Sequence, residues 1–231
     1  MQHLILLHGA LASHRQMLPL KALLEKDFDV RTFDFTGHGG SPIPESKIQM
    51  ETFVDDILRY LEAHNITSAH VFGYSMGGYA ALCASSLHPE KFSTVMTLGT
   101  KFDWSPGSAA AELQLLDTDL MVEKIPGFVE QLKKNHAPSD WREVVNKTGE
   151  MMRHLGEYPL LSKEVLMEHT RPTLVLVGEL DNSAGVGATY EYASIHPMAE
   201  VFTLPNTPHP FDKVDPTLIA ENIQVFVRKN L

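Results

Sequence analysis

The chain has 231 residues, of which 43% are hydrophobic, and its 19 Lys and Arg against 29 Asp and Glu give a formal net charge of -10. This composition suits one domain with a full core, and the negative charge argues against nucleic-acid or anionic-membrane surfaces, which need clustered positive charge. The one cysteine, Cys83, excludes an internal disulfide, no apolar run could span a bilayer, and no secretory signal begins the chain. We therefore expect a cytoplasmic protein without nucleic-acid or membrane partners, and the composition leaves its oligomeric state open.

Short apolar runs alternate with longer amphipathic segments along the chain. The apolar runs predict six strands, at residues 3–7, 29–33, 69–72, 94–98, 173–177 and 200–204. Helical patterns lie between them, at about 15–26, 50–64, 76–87, 185–195 and 216–229. Continuous apolar strands that alternate with helices are typical of a parallel sheet covered on both faces. The predicted fold class is α/β, with a doubly wound, mostly parallel sheet of about six strands.

The alternation is interrupted once, between Leu98 and Pro172, where helix fragments are separated by Pro and Gly. We predict a single domain 1–231 with a core at 1–101 and 169–231 and a helical cap inserted at about 102–168. Within the cap, Ser139 and Asp140 can begin a helix whose apolar residues have helical spacing and are expected to pack on the core. These residues are Trp141, Val144, Val145, Thr148, Met152 and Leu155.

The strongest chemical signal is the hexapeptide Gly73-Tyr74-Ser75-Met76-Gly77-Gly78. It joins a predicted strand to a predicted helix, which is the context of a nucleophile elbow, where a sharp turn holds a serine in a strained conformation. The alternatives are an ordinary glycine-rich turn or an anion-binding helix start. The loop has neither a Lys nor a G-x-G-x-x-G pattern, so we predict Ser75 as a nucleophile.

A serine hydroxyl needs a base, and the base needs an acidic partner to fix its tautomer. His209 follows the last predicted strand in a proline-rich loop, and Asp181 follows the strand at 173–177. Both positions are at the carboxyl edge of a parallel sheet, and the chain order Ser, Asp, His suits this kind of triad. Asp103, after the strand at 94–98, and Glu179 remain alternatives to Asp181 as the acid.

Acyl transfer also needs hydrogen-bond donors for the oxyanion. The backbone N–H of Met76, directly after the nucleophile, is one candidate, and the backbone N–H of Ala10, in the loop after the first strand, is the second. His8 in the same loop is expected to have a structural role.

Four cap or cap-proximal residues could line an apolar substrate pocket: Phe102, Trp104, Phe128 and Met151. Such a pocket favours a small-molecule substrate that is neutral and partly apolar. The twelve histidines form no recognisable metal-ligand motif, so we expect neither a metal nor another cofactor.

Several motifs together resemble the superfamily of small α/β-hydrolases, which includes esterases, enol-lactonases, C–C bond hydrolases and cofactor-free haloperoxidases. They are His8-Gly9, the segments 34–41, 73–78 and 178–181, and His209. The resemblance implies Ser75 as nucleophile, Asp181 as acid and His209 as base, with Asp34 and His38 fixing a loop. The chain departs from the family pattern with Pro208 before the histidine, with Phe35-Thr36 where an Arg-containing pair is common, and without a leading hairpin.

The sequence thus predicts a serine hydrolase that cleaves a small ester, thioester or lactone through an acyl-enzyme on Ser75. Two alternatives use the same residues. One is a ligand receptor of this fold that turns over slowly or not at all, and the other is a C–C hydrolase or lyase.

Overall fold

A computed structural model describes all residues, 1–231, and its centre is one six-stranded sheet. The strands are β1 (His3–Leu7), β2 (Asp29–Thr32), β3 (Ala69–Tyr74), β4 (Phe92–Leu98), β5 (Thr173–Leu180) and β6 (Ala199–Pro208). All neighbours are parallel, in the order β2-β1-β3-β4-β5-β6. The predicted α/β class and six-stranded sheet are confirmed.

The last two strands extend beyond their predicted ends. After a register shift, Leu180 pairs with Pro208, so β5 and β6 end side by side. The next residues in the chain are Asp181 and His209, which are therefore delivered to the same point on the sheet edge.

Ten helices surround or follow the strands. They are α1 (Leu18–Leu24), α2 (Met50–Ala63), α3 (Met76–Leu87), α4 (Pro106–Gln114), α5 (Thr118–Lys124), α6 (Pro126–His136), α7 (Trp141–Glu157), α8 (Lys163–Glu168), α9 (Val186–Ile195) and α10 (Pro216–Lys229). The predicted helix at 15–26 is shorter than expected: a 3-10 turn, His14–Met17, precedes α1. Pro19 lies in the first turn of α1, where a missing N–H has no cost.

The two faces of the sheet bury separate apolar clusters, as strand alternation requires. In β1, Ile5 and Leu7 face a cluster of 27 buried residues that includes α2 and α3. Leu4 and Leu6 face a second cluster of 21 residues that includes α1 and α10. Helices therefore cover both faces of the sheet, and a functional site is expected in the loops at the strand ends.

Helices α4 to α8 form one insertion between β4 and β5. The predicted apolar stripe on α7 divides between two environments. Trp141, Val144 and Val145 pack within the insertion against other helices and Leu11, whereas Leu155 packs in the larger core cluster. Asp140 accepts the N–H of Arg142 and begins α7, so the helix start agrees with the prediction. None of the ten helices is both long and apolar enough to cross a membrane.

Candidate active site

Ser75 occupies the sharp turn between β3 and α3 with φ 51° and ψ -116°. A positive φ is unfavourable for a residue with a side chain, by about 1–3 kcal/mol, and persists only where neighbouring contacts impose it. The Ser75 N–H donates to the carbonyl of Leu98 at 2.8 Å, and the Ser75 carbonyl accepts the N–H of Gly78 at 3.0 Å and the hydroxyl of Thr100 at 3.1 Å. These bonds hold the serine at the carboxyl edge of the sheet, where it is partly exposed.

Glycine is needed on both sides of this turn because the backbone passes very close to its neighbours. A Cβ at Gly73 would collide with the backbone of Gly77, and a Cβ at Gly77 would lie 2.5 Å from the carbonyl oxygen of His8. The elbow therefore packs directly beneath the loop that follows β1.

His209 and Asp181 form a hydrogen-bonded pair. The Nδ1–H of His209 donates to Asp181 Oδ2 at 2.8 Å, and the Asp181 side chain is only 2% exposed. The other carboxylate oxygen accepts the N–H groups of Ser183 at 2.9 Å and Ala184 at 2.8 Å. Burial acts to raise the pKa of Asp181, but the hydrogen bonds from His209 and these N–H groups outweigh it and lower the pKa. The carboxylate is thus ionised at neutral pH.

The two alternative acids lie elsewhere. Asp103 is exposed, and only its backbone carbonyl makes a hydrogen bond, from the hydroxyl of Ser108. Glu179 is also exposed and accepts the N–H of Asn206 at 2.8 Å. Neither contacts His209, so the structure pairs the histidine with Asp181 among the three candidates.

Gly99 lies where the elbow and the Asp–His pair meet, and no local sequence pattern indicated this position. It follows Leu98, the residue that anchors the Ser75 N–H, and has φ +61°. A Cβ at Gly99 would lie 3.0 Å from Asp181 Oδ2 and 3.3 Å from His209 Nδ1. Ser75 Oγ and the His209 ring share no hydrogen bond here, and such bonds are often long before substrate binds.

Tyr74 anchors the backbone of His209, and this contact was also not foreseen. Its hydroxyl donates to the His209 carbonyl at 2.7 Å. Its ring lies 4.9 Å from the ring of Phe211 and 5.4 Å from that of His209, centroid to centroid. Burial raises the pKa of Tyr74, so the phenol remains a donor at any ordinary pH. The backbone of the loop after β6 is therefore held by the Tyr74 hydroxyl as well as by its prolines.

Two backbone N–H groups beside Ser75 have no acceptor. Met76 is the first residue of α3, so its N–H has no partner within the helix. The N–H of Ala10 is also unpaired, whereas that of neighbouring Gly9 donates to Gln16 Oε1 at 2.9 Å. Ala10, Ser75 and Met76 line one cavity, so the two residues with unpaired N–H groups share it with the serine.

This cavity is narrow, with a volume of about 30 Å³. Among the predicted pocket residues, Trp104 and Met151 line it. Phe102 does not, because its ring stacks on Tyr192 with centroids 3.7 Å apart, and Phe128 is 40% exposed on α6. The complete lining is Ala10, Met50, Ser75, Met76, Tyr79, Lys101, Trp104, Met151 and Met152.

Lys101 introduces one charge that the sequence analysis did not expect in this cavity. Its Nζ lies 3.3 Å from Glu112 Oε1, so the charge is paired within the insertion. Its position three residues after the end of β4, at the carboxyl edge of the sheet, was the available signal. Met50, by contrast, begins α2 and carries no local signal of its role.

The loop histidines hold neighbouring loops together. His8 Nδ1–H donates to the Gly9 carbonyl at 2.8 Å, and His8 Nε2 accepts the N–H of Phe35 at 3.2 Å. Asp34 accepts both the backbone N–H and the ring N–H of His14. His38 Nδ1–H donates to the Thr36 carbonyl, and burial lowers the pKa of His38 to about 4. These contacts are structural, and no cluster of three or more possible metal ligands occurs.

The chain is similar to several known proteins. The chain is 21% identical to the 2-(acetamidomethylene)succinate hydrolase of Mesorhizobium japonicum, over 97% of this chain and 87% of that enzyme. It is 28% identical to the pimeloyl-[acyl-carrier protein] methyl ester esterase of Aromatoleum aromaticum, over 76% of this chain and 68% of that enzyme. A solved thermophilic esterase from Thermogutta terrifontis superposes with a TM-score of 0.80 at 18% identity, covering 100% of this chain and 90% of that one.

The named relatives are hydrolases, which supports a hydrolase function for this chain. A family model described as alpha/beta hydrolase fold matches residues 2–122, just over half of the chain. The chain belongs to the α/β-hydrolase fold family.

Proposed function

We propose that the protein is a serine hydrolase of small esters, thioesters or lactones, with Ser75 as nucleophile, His209 as base and Asp181 as orienting acid. The observation that carries this proposal is the buried Asp181–His209 hydrogen bond at the same sheet edge as a strained serine. An ordinary glycine-rich turn would not need an ionised acid and a histidine beside it.

In this mechanism each residue has a separate task. Asp181 keeps the proton of the neutral His209 ring on Nδ1, which leaves Nε2 free to take the proton of Ser75 Oγ as that oxygen attacks the substrate carbonyl carbon. The N–H groups of Ala10 and Met76 stabilise the negative oxygen that forms. His209 then protonates the leaving alcohol, thiol or lactone oxygen. In the second half-reaction His209 takes a proton from water as the water oxygen attacks the acyl carbon, and then returns it to Ser75 Oγ as the carboxylic acid product leaves.

The insertion α4 to α8 acts as a cap that selects the acyl group. Trp104, Met151 and Met152 reach the cavity from this insertion. The cavity is small, with a volume of about 30 Å³. We therefore propose that the preferred acyl group is short, in the range of acetyl to propionyl, and that longer chains require the methionines to move, which their flexible side chains allow.

A panel of p-nitrophenyl esters from acetate to octanoate tests the proposed function and the cap together. Wild type should prefer acetate, and Met151→Ala or Trp104→Ala should shift the optimum towards longer chains by about tenfold in relative kcat/KM, because pocket volume discriminates each methylene by about 10-fold or more. Phe128→Ala is the matched control, since Phe128 is exposed and does not line the cavity.

An unchanged chain-length profile in both variants, with both still folded and still labelled by a fluorophosphonate, would contradict selection by the cap. A single burst of product without steady turnover on every ester would instead favour the receptor interpretation.

Gly99→Ala tests whether the junction between the elbow and the acid–base pair matters. The added Cβ would press on Asp181 and His209 in a backbone conformation that disfavours a side chain. We expect kcat/KM for p-nitrophenyl acetate to fall about 10²-fold, the cost of misplacing a reacting group by about 1 Å. Gly127→Ala, where a Cβ would meet nothing within 4 Å, is the control. Activity within twofold of wild type in folded Gly99→Ala would show that this junction is not critical.

A further inference from the structure

His136, at the end of α6, connects the insertion to two loops of the core. The residue is fully buried. Its Nδ1 accepts the N–H of Gly39 at 3.1 Å, and its Nε2 lies 3.1 Å from the carbonyl oxygen of Leu11. A backbone N–H can only donate and a carbonyl can only accept, so the ring is neutral with its proton on Nε2. Burial lowers the pKa of His136, which keeps the ring in this state at neutral pH.

The Leu11 side of this contact adjoins the proposed oxyanion hole. Leu11 directly follows Ala10 and has φ 58°, an unfavourable conformation that neighbours must hold in place. The Leu11 side chain packs with Met121, Val129 and Leu132 of α5 and α6, while its carbonyl receives the His136 proton. Both the side chain and the main chain of this loop residue are thus held by the insertion.

Within the core, the Gly9–Ala10 peptide, which carries the Ala10 N–H, is held at its carbonyl. The Gly9 carbonyl accepts the N–H of Ala12 at 3.3 Å and the His8 ring proton, and the Gly9 N–H binds Gln16. The Ala12 N–H belongs to the same peptide unit as the Leu11 carbonyl, and the Gly9 carbonyl belongs to the same unit as the Ala10 N–H. The bond between them therefore joins the Leu11–Ala12 peptide to the peptide that carries the proposed donor. The His136 bond fixes the carbonyl side of the Leu11–Ala12 peptide, and the Ala12 N–H on its other side transmits this restraint to the Gly9–Ala10 peptide.

We propose that His136 is a positioning residue that orients the Ala10 N–H towards the oxyanion through its bond to the Leu11 carbonyl. The proposal rests on the proposed serine-hydrolase function. It makes catalysis depend on the placement of α6, so that the cap and the oxyanion hole work as one unit. His136 does not line the cavity and has no contact with substrate in this role.

Two substitutions separate the two hydrogen bonds of the ring. In His136→Gln the longer side chain brings an amide NH₂ near the Nε2 position and can still donate to Leu11. In His136→Asn the amide oxygen lies near the Nδ1 position and can still accept from Gly39, but nothing reaches Leu11. Both variants lose the imidazole packing, so their melting temperatures should fall by similar amounts.

We expect His136→Asn to lower kcat for p-nitrophenyl acetate about tenfold or more with KM within about twofold, because a misdirected oxyanion donor acts on the transition state. His136→Gln should stay within about threefold of wild type. The rate of fluorophosphonate labelling at Ser75 should follow kcat. Equal losses of kcat in both variants, or a change confined to KM, would overturn the proposal.

A second pair of variants covers the case in which His136→Asn does not fold. Leu11→Ala and Val145→Ala both remove contacts from the same apolar cluster, but only Leu11 belongs to the loop. We expect kcat to fall at least fivefold in Leu11→Ala and to be unchanged in Val145→Ala. Equal kcat in the two folded variants would overturn the proposal. A wild-type protein that neither turns over the ester nor is labelled would contradict the proposed function itself. This result is distinguishable from a failure of the His136 proposal, in which wild type is active.

Discussion

Ser75→Ala is expected to abolish turnover almost completely, with kcat about 10⁶-fold below wild type. Removing the nucleophile of a serine triad has an effect of this size because no other group can form the acyl-enzyme, and only binding and oxyanion stabilisation remain. The measurement is steady-state hydrolysis of p-nitrophenyl acetate, together with mass spectrometry after fluorophosphonate treatment. Wild type should gain one label, at Ser75, and Ser75→Ala none.

Ser86→Ala is the matched control for this change. Ser86 lies on α3, the helix that begins directly after Ser75, and its hydroxyl donates to the Leu82 carbonyl away from the cavity. Its activity and labelling should equal those of wild type. Folded wild type that resists the fluorophosphonate, or Ser75→Ala that retains more than about 1% of kcat, would rule out an acyl-enzyme on Ser75.

Asp181→Asn should have the second largest effect, a fall of about 10³ to 10⁴-fold in kcat/KM near neutral pH. Asparagine keeps the shape of the side chain but removes the charge that stabilises the imidazolium, and its NH₂ group favours the wrong tautomer of His209. The Asp181 carboxylate is ionised and bonded to the His209 Nδ1–H at 2.8 Å, so the substitution removes a contact that exists before substrate arrives. The measurement is kcat/KM against pH for both proteins.

Asp103→Asn provides the comparison, because Asp103 was the principal alternative acid and is exposed. We expect it to cost less than tenfold across the same pH range. Both substitutions change little volume, and circular dichroism should show both variants folded. A severe loss in Asp103→Asn with a mild one in Asp181→Asn would move the acid to the end of β4.

The strands, most helices and the position of the elbow could be predicted from the sequence because each depends on local pattern. Apolar runs define strands of a covered parallel sheet, and helical spacing defines α2, α3, α9 and α10 to within one residue at either end. The turn at Ser75 could be predicted from its local motif, and Gly73 does meet local backbone, at Gly77 and Gly78. Gly77, by contrast, lies against the backbone of Leu7 and His8, a contact with a distant segment. Family resemblance rested on the same short motifs.

The sequence favoured Asp181 as the acid but did not exclude Asp103. Asp103 and Asp181 both follow strands that end at the same edge of the sheet. Only the folded chain distinguishes them, because β5 and β6 pair as far as Leu180 and Pro208 and so bring Asp181 against His209, while Asp103 stays in solvent.

The cavity and the His136 contact were decided by tertiary structure alone. Trp104 lines the cavity and Phe102 does not, although the two are two residues apart, because Phe102 meets Tyr192 of α9. His136 reaches the carbonyl of Leu11 across 125 positions of sequence. Such pairs depend on how the insertion packs over the strand ends. That packing results from many contacts between segments that are distant in sequence, and these contacts produce no periodic pattern in the chain.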